Sequence, residues 1–167
     1  MRIRDIERMS NILAGNTRLD NEQLEAWQVV VVAADGDVTT FSPEFMDLAP
    51  GTHDNLCFGN ILADDLCTIF RNERVVATQL EIRQGVEICR SSCTYFQVCG
   101  GGAPANKLAE NGRLASGETV FCRHSIQSAA DALIEFLSSD HASRFAEQIL
   151  SPPAARPPVV ALGRASH

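Results

Sequence analysis

Residues 89–122 read CRSSCTYFQVCGGGAPANKLAENGRLASGETVFC, and four of the chain's six cysteines fall within them. The spacing is C-x3-C-x5-C, then a long gap before the fourth thiol. Three closely spaced thiols followed at once by three glycines describe a ligand set whose backbone comes close to what it holds. Thiolates are natural ligands of zinc and of iron–sulfur clusters, and four cysteines complete either site. Gly100, Gly101 and Gly102 lack a Cβ, so they can take positive φ and turn amide N–H groups toward a cluster sulfur. A structural zinc site usually shows C-x2-4-C knuckles on both sides, and Cys122 has no close cysteine neighbour. Disulfides would suit a small secreted domain, but the opening residues do not read as a signal peptide. Buried, inert thiols are the third alternative. Spacing alone leaves zinc and iron–sulfur open.

Working outward, the pattern predicts a helix over about residues 73–88, with Val76, Leu80 and Val86 inward and Cys89 delivered at its end. Asp64 and Asp65 start a shorter helix whose apolar face is Leu66, Ile69 and Phe70. An irregular stretch punctuated by Pro43, Pro50 and Gly51 precedes it. Before that, WQVVVVAA from Trp27 and a return strand from Asp37 to Phe41 flank Asp35-Gly36, a hairpin signal of the type I′ kind. The four-valine run predicts a strand covered on both sides. Ile3, Ile6, Met9 and Leu13 give residues 1–14 an amphipathic helical pattern. Beyond Cys122, the spacing of Ile126, Ala129, Ala130, Leu133, Ile134 and Leu137 predicts a closing amphipathic helix. A short helical turn is expected over 142–150. The proline-rich tail from Ser151 is expected to be extended or disordered. The expected class is α+β: a small hairpin, then helices, then an irregular cysteine-rich region closed by a C-terminal helix. The expected divisions are residues 1–26, 27–150 and 151–167.

A chain of 167 residues with 45% hydrophobic content has enough for one real core. A formal charge of −7 and no basic stripe argue against a nonspecific nucleic-acid binder. No apolar run approaches the ~20 residues that span a bilayer. Six cysteines without a secretion signal fit a reducing cytoplasm. The four histidines, His53, His124, His141 and His167, are scattered, and His124 is expected at the surface.

Cys89, Cys93, Tyr95-Phe96, Cys99 with Gly100–Gly102, Asn106-Lys107, Glu110-Asn111-Gly112, Glu118-Thr119 and Cys122-Arg123 occur in an order that resembles the SPASM domain of radical SAM peptide maturases. The branch that installs cyclophane crosslinks in ribosomal peptides is the most similar; it is loosely grouped with anaerobic sulfatase maturases. The likeness reaches back to about Gln28 through the hairpin and Gly59-Asn60-Ile61. It implies that Cys89, Cys93, Cys99 and Cys122 hold one auxiliary 4Fe–4S cluster, with Gly100, Gly101 and Gly102 close to it and zinc as the alternative. Many such domains place a further cysteine after the second hairpin strand, where this chain has Phe41-Ser42-Pro43. One cluster is therefore expected, with Cys57 and Cys67 as core thiols.

The motif that cleaves S-adenosylmethionine, C-x3-C-x2-C, is missing, so no S-adenosylmethionine site and no catalytic residue are expected here. The resemblance implies an accessory domain that accepts an electron or holds substrate, with a radical SAM barrel protein and a precursor peptide as partners. The alternative is a non-catalytic peptide-binding or zinc module, a remnant of such an enzyme. The stretch between Cys99 and Cys122, rich in Gly, Ala and Asn, is expected to be mobile until metal binds.

Overall fold

Asp35 and Gly36 reverse the chain between β1 (Val30–Val32) and β2 (Asp37–Thr40), as the hairpin signal requires. The turn is not type I′, which needs positive φ at both central residues. Gly36 has φ 93° and Asp35 is not in the left-handed region. A Cβ on Gly36 would stand 2.6 Å from Asn60 Oδ1, so glycine also permits a close approach. That approach brings in a strand not expected from the sequence, β3 (Gly59–Asn60), which pairs antiparallel with β2 as Asp37↔Asn60 and Val38↔Gly59. β2 is thus the centre of a three-stranded antiparallel sheet in an α+β fold.

This computed structural model describes residues 4–16, 20–47 and 56–139. The helical turn expected over 142–150 and the tail from Ser151 lie outside them. The chain divides into two compact units, Met1–Leu133 and Ile134–His167. In the second, Ser138 N–H donates to Ile134 O at 2.9 Å, closing the last turn of a helix.

In the first unit, α1 (Arg4–Leu13) buries Met9 and leaves Leu13 exposed. β1 departs from the expectation of a strand covered on both sides: Val30 and Val32 are each 48% exposed, alternating with the half-buried Val31. β2 is the covered strand, with Val38, Thr39 and Thr40 all buried. Its hydroxyls are satisfied locally: Thr39 Oγ1 donates to Leu56 O at 2.7 Å, and Thr40 Oγ1 to Val29 O at 2.8 Å.

α2 (Leu66–Phe70) is capped by the Asp65 carboxylate, which accepts from the Cys67 and Thr68 amides. Only Ile69 is buried; Leu66 and Phe70 lie largely exposed, so the three do not form one inward face. Phe70 instead meets the Trp27 ring edge-on at 4.7 Å. α3 (Glu73–Ser92) starts at an Asn72 cap and runs four residues past its expected end. Its buried stripe is Val75, Thr78, Gln79, Ile82, Gly85 and Cys89, not the expected Val76 and Leu80, which face solvent. Val86 is half-buried. Gln79 belongs inside because its amide closes on backbone: Ala26 N–H donates to Oε1 at 2.7 Å and Nε2 donates to Leu24 O at 2.5 Å.

After α4 (Phe96–Cys99), the stretch expected to be mobile contains a helix, α5 (Pro104–Asn111). Pro104 sits at its first turn and Gly112 closes it with φ 70°. Ala105 and Leu108 of α5, and Leu114 beyond it, pack into one core with Phe41, Phe45, Phe58, Val75 and Ile82. A π-helical turn (Cys122–Gln127) then leads into α6 (Ser128–Leu137). Among the described residues, no helix is long and apolar enough to cross a membrane.

Candidate metal centre

The buried stripe of α3 ends at Cys89, which is 8% exposed. Four residues on, one helical turn away on the same side, Cys93 caps the helix and donates its amide N–H to Cys89 O at 2.9 Å. α4 is a single turn that delivers Cys99. Two contacts hold it: the Arg90 guanidinium stacks over the Phe96 ring at 5.0 Å, and Tyr95 Oη donates to Asp131 Oδ1 at 2.7 Å.

The glycine run follows at once. Gly100, Gly101 and Gly102 have φ of 68°, 112° and 75°, three successive left-handed residues that only glycine adopts without strain. Gly100 caps α4, donating to Phe96 O at 2.8 Å, and it lines a separate cleft with Arg83, Arg90 and Phe96. Gly101 lies against Val86, where a Cβ would stand 3.0 Å from Cγ2. Gly101 and Gly102 turn their amides toward the Cys99 sulfur, and Gly101 O accepts a hydrogen bond from the Cys89 thiol at 3.8 Å.

The fourth thiol is placed by α5 and the loop after it. Glu110 accepts the amides of Val120 and Phe121 through its two carboxylate oxygens. Asn111 Nδ2 donates to Glu118 O and to Ser116 Oγ, each at 3.0 Å. Thr119 Oγ1 then accepts the Cys122 amide at 3.0 Å. In the π-helical turn that begins there, the i, i+5 register brings Gln127 Nε2 to 3.7 Å from Cys122 Sγ, to which it donates.

Cys89, Cys93, Cys99 and Cys122 together line one cavity of about 70 Å3, with Gly101, Gly102, Lys107 and Thr119 among its other walls. The two remaining cysteines stand elsewhere, and neither is a core thiol: Cys67 is exposed on α2, and the half-buried Cys57 donates to Gly59 O at 3.2 Å. His124 is exposed, as expected. Among the described residues, no three His, Cys, Asp or Glu side chains are close enough to hold a single metal ion as they stand.

Burial pushes the Cys99 thiol above its ordinary range, and Cys93 and Cys89 add to this, while the Gly101 and Gly102 amides act the other way. Burial is also the main cause that raises Cys122, followed by the charge of Cys99, against the hydrogen bond from Gln127. Raised thiols are poor nucleophiles, because the thiolate is the reactive form. A bound cationic group would favour the thiolate forms. In donor type, number and enclosure the four thiols fit an iron–sulfur cluster, and the glycine amides add hydrogen bonds toward sulfur.

Reading the sequence missed α5, although a proline at a helix start and a glycine just past its end were both visible in Ala103-Pro104 and Asn111-Gly112. Lys107 was missed as a wall of the site. Asn106-Lys107 belongs to the ordered motif quoted above, but a lysine inside an amphipathic helix is ordinarily solvated, so its burial had no signal.

No family model and no solved structure matches the chain. It is 36% identical over 134 residues to the uncharacterized protein sll1766 of Synechocystis sp. (strain ATCC 27184 / PCC 6803 / Kazusa), an alignment that covers 80% of this chain and 34% of that protein. The chain thus spans about a third of the length of the curated relative it matches.

Proposed function

We propose that Cys89, Cys93, Cys99 and Cys122 hold one 4Fe–4S cluster and that this chain is the auxiliary-cluster part of a radical SAM system that modifies a ribosomal peptide in the cytoplasm. The observation that carries this reading is the convergence of those four thiols, and no other cysteine of the chain, on one enclosed cavity with glycine amides aimed at a sulfur. When bound, the cluster supplies a one-electron acceptor.

The chain's own residues bind and shield it. The turn from Cys99 to Gly102 wraps one side, and Thr119 and Gln127 orient Cys122. A second cavity, of about 210 Å3, shares Cys99, Gly102, Thr119 and Cys122 with the first and is walled by Met9, Ile12, Val98, Phe121 and Ile126. An apolar peptide side chain held there would stand next to the thiol site. The barrel that generates the substrate radical is a partner, either a separate protein or another part of a longer polypeptide. In the Synechocystis relative, 134 residues are 34% of the chain, leaving roughly 260 residues outside the match, room for such a domain.

Anaerobic reconstitution with ferrous iron and sulfide, followed by iron, sulfide and zinc analysis, tests the site. We expect four irons and four sulfides per chain. Replacing any one of the four cysteines by alanine is expected to cut the loading sharply, whereas Cys57→Ala and Cys67→Ala are expected to leave it unchanged. One zinc and no iron would replace the cluster by a zinc module.

A further inference from the structure

Lys107 is only 4% exposed, yet its ammonium has one direct partner, Gly85 O, at 2.8 Å. An ammonium carries three donors. Among the described residues no carboxylate pairs with it, and the nearest acidic wall of the same cavity, Glu118, already holds Arg123 at 3.4 Å and Gln127 at 3.1 Å. A buried cation without a counter-charge is strongly disfavoured. Its neighbours in the cavity are the four thiols, which are neutral while protonated. The glycine at 85 leaves room both for this group and for the 114–116 backbone. Gly85 lies in the middle of α3, where glycine costs helix stability, and a Cβ there would stand 3.1 Å from Lys107 Nζ and 2.3 Å from Leu114 O. By helical spacing, the Gly85 carbonyl that takes the ammonium is also the acceptor for the amide of Cys89.

We infer that Lys107 is the built-in counter-charge of an anionic metal–thiolate assembly in this cavity, and that it raises the reduction potential of that assembly. The inference rests on the cluster reading above. Four thiolates bring more negative charge than a 4Fe–4S core offsets, and each added electron makes the assembly more negative. A fixed positive charge at its wall favours the reduced form over the oxidised one.

The test uses the full chain reconstituted anaerobically with ferrous iron and sulfide, as wild type and as Lys107→Met, Lys107→Gln and Lys107→Arg. Iron content and the midpoint potential are measured, the latter by redox titration followed by electron paramagnetic resonance. We expect Lys107→Met and Lys107→Gln to shift the midpoint to more negative values, and Lys107→Arg to stay near wild type. An unchanged midpoint in iron-loaded Lys107→Met overturns the inference and leaves the cluster reading standing. If the neutral variants lose iron, loading retained by Lys107→Arg supports the counter-charge, and loading lost in all three assigns Lys107 to shape alone and overturns it. A wild-type chain that takes up no iron sinks the cluster reading, and this inference with it.

Discussion

One helix, α3, is filled against in opposite ways along its length. Toward its start, Val75 and Ile82 meet Phe41, Phe45, Phe58, Leu108 and Leu114 in a close apolar core with aromatic rings edge to face at 6.4–6.5 Å. Toward its end, Cys89 faces a cavity walled by thiols, glycine backbone and a lysine. The same stretch of chain serves both regions: α5 sends Ala105 and Leu108 into the core and Lys107 to the cavity. The contrast teaches that α3 and α5, which fill an apolar core without any of the four cysteines, also carry walls of the thiol site.

Leu108→Ala should break that arrangement most severely. The residue is 4% exposed, so its truncation is expected to cost about 2–5 kcal/mol, read by denaturant melts of the metal-free chain. Iron loading should fall with it although no ligand has changed. Stability lost with loading intact would mean that the cavity is held from elsewhere.

Gly85→Ala comes next. The added methyl would stand 2.3 Å from the Leu114 carbonyl oxygen, which is backbone and cannot swing aside. The gain of up to about 1 kcal/mol in helix propensity is outweighed by overpacking, and a net loss of about 1–3 kcal/mol is expected in the same melts. A stabilised variant would show that the 114–116 segment is not seated on α3.

A smaller effect should separate the two regions by pH. The folded chain holds protons on Cys99 and Cys122 that the unfolded chain gives up near about pH 8.5. Metal-free stability should therefore be full below that pH and fall as pH rises through the raised folded values, since the unfolded state then binds fewer protons. Melts of wild type and the Cys99→Ala/Cys122→Ala double variant across that range check it; the double variant should show the flatter dependence. Identical slopes would remove these thiols as the cause.

Leu80→Ala should do least. Leu80 is 54% exposed on the solvent side of α3, and a change within about 0.5 kcal/mol is expected. A loss comparable to that of Leu108→Ala would place a covering surface over that side.

The hairpin, the existence of α3 and the closing helix were legible because turn chemistry and apolar periodicity are local. The inward face of α3 was not. Its buried stripe is interrupted by Thr78, Gln79 and Gly85, while Val76 and Leu80 lie outside, so counting apolar residues selects the wrong side. Gln79 is inside for a tertiary reason, its bonds to residues 24 and 26, which no window of sequence contains. The four thiols were legible as a set from their spacing. The aim of the glycine amides followed from composition in part, since Gly100 serves the end of α4 and faces a different cleft. The role of Lys107 depends on where α5 lands against α3, which is a matter of packing alone.

Asn21 Nδ2 donates to Gly102 O at 3.1 Å, joining positions 81 residues apart. At elongation rates of about 5–20 residues per second, Asn21 is synthesised roughly 4–16 s before the glycine it will hold. During that interval the segment around Asn21 can already dock on Ser42 and Gln79, but the glycine it will hold does not yet exist. The rim of the thiol site thus joins segments made seconds apart, and it closes only after residue 102 has left the ribosome.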